Sequence, residues 1–288
     1  MAEVERTNFL KGFAIIAVVV IHTINYFMNR TLPDTSFWPV LITLDQLMRF
    51  SVPLFIALSG YALAQKYLKN RLNLNDFYFR RTTKLLPAYF IWTGIYYFSS
   101  PQTFPLWQIL FLGKAEYHLY FVPMIFQAYL LFPLLFNLIK KIPWIFLIFS
   151  VIAQYFIFNY INQPGWTDQK QYILFMTWQL YFVLGIFLAV TKPHMMTKIA
   201  TVIFPLGIIA SIFTALAWWG KTRDVIWATR FTRGWVELYA TGIIILSIAW
   251  VKKIKIQNIF YRTIVFLGVN SYQIFLGHVF FLRLLFVK

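Results

Sequence analysis

The chain has 288 residues, 60% of them hydrophobic and 12% charged, with 32 Phe, 17 Tyr and 11 Trp; a soluble core cannot hold that much apolar surface, so an all-α, polytopic transmembrane helical bundle is expected. Its net charge of +17 is what membrane proteins collect in their cytoplasmic loops, and it calls for no nucleic-acid partner. Cysteine is absent, which excludes disulfides, thiolate nucleophiles and cysteine metal sites, and no P-loop, HExxH or G-x-S-x-G segment supports nucleotide hydrolysis, zinc proteolysis or hydrolase-elbow chemistry.

Apolar runs predict about nine spans (9–11 as bounds), near residues 9–28, 44–65, 85–99, 119–139, 143–161, 172–191, 199–219, 235–251 and 264–286. No polar block between them is long enough to fold separately, so residues 1–288 read as a single domain. The first segment lacks a small-residue cleavage site and is expected to be retained. With the N-terminus inside, 16 of the 26 Lys and Arg are cytoplasmic; the opposite orientation leaves only 10 inside. The expectation is a multi-pass protein of the cell membrane with a cytoplasmic N-terminus and an extracytoplasmic C-terminus.

Lys11 to His22 is an apolar helix with a cation at its mouth and an imidazole roughly 16 Å deeper. A titratable group in hydrocarbon is costly and reads as functional; the competing reading is a histidine that hydrogen-bonds a neighbouring helix. Arg30 to Phe37, with Pro33, Asp34 and Ser36, suits a short outer loop. Arg49 lies just inside the second span and must snorkel, pair or face a polar cavity. Pro53 frees a backbone carbonyl and predicts a kink, while Ser59-Gly60 before Tyr61 permits close helix approach, ordinary packing being the plainer role of Ser59. Arg80, Arg81 and Lys84 form a basic patch that suits anionic lipid headgroups or the phosphates of a nucleotide-bearing substrate.

Pro101 to Leu112 is too short and broken to span, and reads as re-entrant or interfacial. Glu116 and His118 point to different sides of a helix and read as solvated loop residues rather than as an acid/base pair. Gln154, Asn159, Thr177 and Gln179 offer no catalytic constellation. Further on, Lys221, Arg223, Arg230 and Arg233 fall on the outer side among Trp218, Trp219, Trp227 and Trp235. That mixture suits sugar rings and phosphates, or an interfacial helix on anionic lipid. Glu237 is placed to pair with Arg233 at i, i+4. His278 is expected at the depth of His22, about 20 Å from the inner face, so that two imidazoles line one chamber.

These pieces, in this order, resemble the acyltransferase-3 family of integral membrane acyltransferases. Lys11 to His22 matches its basic residue, ten residues and histidine in the first span. Arg49 to Tyr61 looks like its second-span signature ending in Ser-Gly-Tyr, and Arg80-Arg81 to Pro87-Ala88-Tyr89 like its basic-loop-then-Pro element. His118-Leu119-Tyr120-Phe121 with Tyr129 and Pro133 resembles its fourth-span element, and Asn270-Ser271-Tyr272 to His278 its closing one. The likeness runs from about residue 6 to 283. Lys11 stands where the family commonly has arginine, and Asn8 where it often has Asp; lysine cannot make a bidentate guanidinium contact, so donor positioning is expected to differ. The chain is short for the family and has no appended hydrolase-like domain, so a second transfer step is expected to need another protein.

The resemblance implies an acyltransferase, O-acetyl by expectation, that moves an acyl group from cytosolic acyl-CoA to a hydroxyl of a cell-envelope glycan or lipid-linked saccharide. It implies acyl-CoA as a donor substrate, no permanently bound cofactor and no metal. His22 is then general base or transient acyl carrier, and Lys11 holds or polarises the donor. Arg80, Arg81 and Lys84 grip CoA phosphates, and Arg49 stabilises oxyanion charge. Arg230 and Arg233, with Glu237, His278, Ser59 and Tyr61, serve the acceptor. A transporter or flippase for a lipid-linked saccharide, using the same buried cations for phosphate, is the alternative; a membrane scaffold without chemistry is a third. The oligomeric state is left open.

Overall fold

The computed structural model describes residues 3–28, 36–162, 172–191, 194–254 and 258–286. Among these, every regular element is helical, since lipid offers no partner to backbone N–H and C=O groups and a helix satisfies them within itself. In chain order the helices are α1 (Glu3–Met28), α2 (Trp38–Met48), α3 (Ser51–Lys69), α4 (Leu74–Ser99), α5 (Leu106–Leu112) and α6 (Phe121–Lys141). There follow α7 (Pro143–Ile161), α8 (Gln179–Thr191), α9 (His194–Thr222), α10 (Gly234–Trp250), α11 (Ile259–Val269) and α12 (Ser271–Phe286). Short 3₁₀ turns, Tyr117–Tyr120 and Phe175–Trp178, lead into α6 and α8.

Among the described residues, six stretches are long and apolar enough to cross a bilayer: Val4–Met28, Trp38–Lys69, Tyr117–Lys141, Pro143–Ile161, Met195–Thr222 and Gly234–Val251. The pair α11 and α12 makes a seventh if its two arms count as one span. The expected nine therefore come down to six or seven by length and composition. The stretch at 85–99 shares α4 with Asp76, Arg80, Arg81 and Lys84, and those charges dilute the helix. The stretch at 172–191 contains a shorter apolar helix, Phe175–Thr191. The one at 264–286 is bent by 82° between α11 and α12, so the depth of His278 cannot be reckoned along a straight helix from Ile264. The kink expected at Pro53 is displaced too. Pro53 sits in the first turn of α3, and its missing N–H leaves the carbonyl of Arg49 without an α-helical donor; the chain breaks at Arg49–Phe50. Apart from Ser36 and Phe37, the outer loop expected over Arg30 to Phe37 lies outside the described residues, as do Lys192 and Lys255 of the orientation argument.

The chain packs as two compact units: Met1–Leu58 with Pro193–Phe275, and Ser59–Lys192 with Leu276–Lys288. In the first, α1 crosses α11 where Gly12 meets Ile264 and Gly268 meets Asn8, so closely that a Cβ on either glycine would overlap a backbone carbonyl oxygen. Small residues are what let membrane helices approach to backbone contact. The rings of Phe9 and Tyr261 stack at 4.7 Å beside the crossing. Farther along, Ile24, Met28, Trp38, Ile42, Ala215 and Trp219 form one buried cluster.

In the second unit α4 runs antiparallel to α6. The Tyr78 hydroxyl donates to Leu130 O at 3.0 Å, Phe77 stacks on Phe132 at 5.4 Å, and at the far end Tyr96 meets His118 at 5.4 Å. Gly60 of α3 lies against the backbone of Phe182 in α8, the close approach its Ser-Gly pair predicts. Gln179 donates to Ser150 O at 2.8 Å and Gln154 to Thr177 O at 2.9 Å. These uncharged groups join α7 to α8 and its leading turn, leaving α8 buried on every side from Gln179 to Ala189.

Candidate functional site

Eleven residues from Lys11 to His22 are three helical turns plus about 20°, so both side chains leave one stripe of α1, roughly 16 Å apart. Ile15 and Val18 on that stripe are fully buried, while Phe13, Ile16 and Phe27 across the helix are exposed. Lys11 and His22 are themselves half-buried. The stripe therefore faces protein, and lipid meets the opposite side.

The first unit also carries a buried polar core around the break between α2 and α3. Arg49 is held by a bidentate pair with Asp45, Nε to Oδ2 at 2.8 Å and Nη2 to Oδ1 at 2.7 Å; of the three fates open to a span arginine, it takes pairing. Gln46 donates to Asp45 at 3.1 Å and accepts from the Ser211 hydroxyl at 2.6 Å. The Tyr239 hydroxyl donates to the Gln46 carbonyl at the end of α2. Asp45, Gln46, Ser211 and Tyr239 are all completely buried. Arg230 and Arg233 belong to the same electrostatic neighbourhood: burial first, then Arg49 and Arg230, push the Arg233 guanidinium pKa down. The expected pair of Arg233 with Glu237 does not form. Arg233 is the extended N-cap residue of α10, and its guanidinium donates instead to the Trp227 carbonyl. Arg230 lies over the Trp227 ring at 4.3 Å and Arg223 over Trp219 at 4.2 Å, so the cation and indole mixture is physically interleaved.

In the second unit, Arg80, Arg81 and Lys84 occupy about 100° of arc on α4. They differ in what holds them. Arg80 is exposed and donates to Asp76 at 2.8 Å, a hydrogen bond that raises its pKa. Arg81 lies over the rings of Phe77 and Tyr129, at 6.0 and 5.8 Å. Partial desolvation, and secondarily Arg81, push the ammonium pKa of Lys84 down. Tyr61 of α3 is buried and Ser59 half-buried.

His278 packs its ring against that of His118, centroids 4.9 Å apart. His118 donates through Nε2 to Leu276 O at 3.2 Å. The same carbonyl accepts from the Tyr96 hydroxyl at 2.9 Å, and that hydroxyl accepts from the Phe280 N–H at 3.0 Å. The Tyr96 hydroxyl thus bridges the Phe280 N–H and the Leu276 carbonyl, one turn apart on α12. The solvated reading of Glu116 and His118 is overturned: they are 6% and 1% exposed. The Glu116 carboxylate accepts from Arg283 at 2.6 Å, and Arg283 also donates to Ser100 at 2.8 Å. Sequence reasoning missed Asp45, Tyr96 and Arg283. Asp45 had a local signal, four residues before a membrane arginine; the partners of Tyr96 and Arg283 lie more than a hundred residues away and leave no local trace.

The protein family described as Acyltransferase domain matches residues 5–287. No curated protein and no solved structure matches the chain.

Proposed function

The chain belongs to the Acyltransferase domain family over essentially its whole length, and on that premise we propose that it moves an acyl group, acetyl by preference, from cytosolic acyl-CoA to a hydroxyl of a cell-envelope glycan or lipid-linked saccharide. The observation that supports the reading is the stripe shared by Lys11 and His22 on the protein-facing side of α1. A cation near the helix mouth holds the donor; an imidazole three turns deeper takes a hydroxyl proton near neutral pH. The acceptor oxygen attacks the thioester carbonyl, the C–S bond breaks, and the CoA thiolate leaves with the proton His22 collected. In the two-step variant His22 itself carries the acyl group between donor and acceptor.

Arg80, Arg81 and Lys84 suit the phosphates of CoA, because three cations on one arc of α4 can share the charge of a polyanion. Arg49, held rigid by Asp45, is our candidate for stabilising the oxyanion. Arg230 and Arg233, with Glu237, His278, Ser59 and Tyr61, are assigned to the acceptor.

The test is transfer of radiolabelled acetyl from acetyl-CoA to envelope glycan by purified protein in proteoliposomes. His22→Gln is expected to lower kcat/KM by about 10²-fold or more, the usual worth of a general base. Movement of lipid-linked glycan with no acyl transfer, in wild type and variant alike, would replace the enzyme by the flippase.

A further inference from the structure

The second unit contains a cavity of about 240 Å³ at the start of α6, lined by Gln108, Lys114, Glu116, Tyr117, Tyr120 and Tyr172 among others. One wall is an aromatic stack. The rings of Tyr120 and Tyr172 lie 5.0 Å apart, and Trp178 backs both, nearly parallel to each at 6.4 and 6.5 Å. Trp178 is 2% exposed and its indole N–H donates to the Tyr172 carbonyl at 2.9 Å, so the wall is anchored from behind. Gln127 fixes it from α6, donating to Ile173 O at 2.8 Å and accepting from Phe175 N at 3.3 Å. The lining also has polar groups. Glu116 is held by Arg283 and by the Tyr117 N–H at 3.2 Å; Lys114 donates to Gln108 at 2.7 Å and lies over Phe104 at 4.3 Å. Gly113 makes the turn between them at φ +67°, and a Cβ there would stand 2.6 Å from the Leu119 carbonyl oxygen. The loop is therefore moulded onto the start of α6.

A rigid aromatic face and a fixed set of hydrogen-bonding groups in one cavity are what a pyranose needs: its axial C–H face lies on the rings and its hydroxyls reach the polar groups. Glu116 is paired with Arg283, and Lys114 is engaged by the Gln108 amide and the Phe104 ring, so the polar groups are held in place to meet hydroxyls. We infer that this cavity is a subsite for one neutral sugar ring of the acceptor, stacked on Tyr120 and Tyr172 and hydrogen-bonded by Glu116, Gln108 and Lys114. The assignment rests on the acyltransferase reading for its purpose and on the cavity alone for its ligand class.

Saturation-transfer NMR on the full chain in nanodiscs, with methyl glucoside, methyl galactoside and methyl N-acetylglucosaminide as probes and no acyl-CoA present, tests the binding apart from the chemistry. Saturable binding of at least one probe is expected, with transfer strongest to ring C–H protons. It should weaken at least tenfold in Tyr172→Leu and several-fold in Glu116→Gln, and survive in Tyr172→Phe, each variant first checked for the wild-type melting curve. Absence of binding by every probe, or binding unaltered in Tyr172→Leu and Glu116→Gln, overturns the subsite, as does displacement by an alkyl chain but not by sugar. Sugar binding without acyl transfer would leave the subsite standing and remove the enzyme. Acyl transfer with an unchanged acceptor KM in Tyr172→Leu would do the reverse.

Discussion

Asp45 and Arg49 show how a charge survives in hydrocarbon: one partner is completely buried, the other is turned toward it in a bidentate fork, and Gln46 supplies a further donor. Removing one member leaves the other desolvated and unpaired, which costs about 3–5 kcal/mol. Arg49→Gln should therefore lower the melting temperature in detergent sharply. Asp45→Asn combined with Arg49→Gln should recover much of the loss, because two neutral amides can hydrogen-bond each other; a double variant no better than the single would mean that the guanidinium matters through contacts other than Asp45. Glu116 links stability to pH. Burial holds its carboxyl above the ordinary 4.5, although Arg283 pulls it back in part. The folded chain thus keeps this proton to higher pH than the unfolded chain. Its contribution to stability is greatest below about 4.5 and is lost as the pH rises through the raised folded value. Melting curves of Glu116→Gln across that window should lack this component of the slope; an identical pH dependence in wild type and variant would assign it to other groups.

Among elements, the crossing of α1 and α11 is the most constrained, because Gly12 and Gly268 each face a backbone carbonyl rather than a side chain that can turn aside. Gly268→Ala must push the helices apart, with a cost of about 1–3 kcal/mol by analogy with overpacked cores. Gly94→Ala, whose Cβ would meet nothing within 4 Å, should gain slightly from better helix propensity and serves as the control. Equal melting temperatures for the two variants would show the crossing to be looser than drawn. The α1 stripe is the part of the site that sequence spacing made legible, since eleven residues return a helix to nearly the same face whatever surrounds it. The helix register does not say which face is lipid; that came from the exposure of Phe13, Ile16 and Phe27. The 82° bend before α12 was illegible because no proline marks it, and the nearby Gly268 has a second use, letting α11 approach Asn8 of α1.

For the whole molecule, composition determines the class, an all-helical membrane bundle, but not the number of crossings, because α4 and α8 sit at opposite limits of the hydropathy argument. α4 has 26 residues, about 39 Å of helix, yet its first half is charged. The apolar helix Phe175–Thr191 has 17 residues, about 25 Å against a hydrocarbon core of roughly 30 Å. Each has a reason to cross regardless. The charges of α4 cluster at the end that packs beside the second half of α6, leaving its remaining turns apolar, and α8 is sheathed by protein from Gln179 to Ala189, so it need not match the lipid. Crossing by both is the expected outcome, and it restores the arrangement in which Arg80, Arg81, Lys84, Lys140 and Lys141 share the cytoplasmic side. Since the chain contains no cysteine, single replacements at exposed positions read this directly with a membrane-impermeant maleimide on right-side-out and inverted vesicles. Asn70→Cys and Thr103→Cys should label from opposite sides if α4 crosses, and Lys141→Cys and Arg223→Cys from opposite sides if α8 crosses, with residues 70 and 141 cytoplasmic. Same-side labelling of residues 141 and 223 would make α8 an internal helix, and would move the arginine and tryptophan cluster around Arg223 to the side of residue 141.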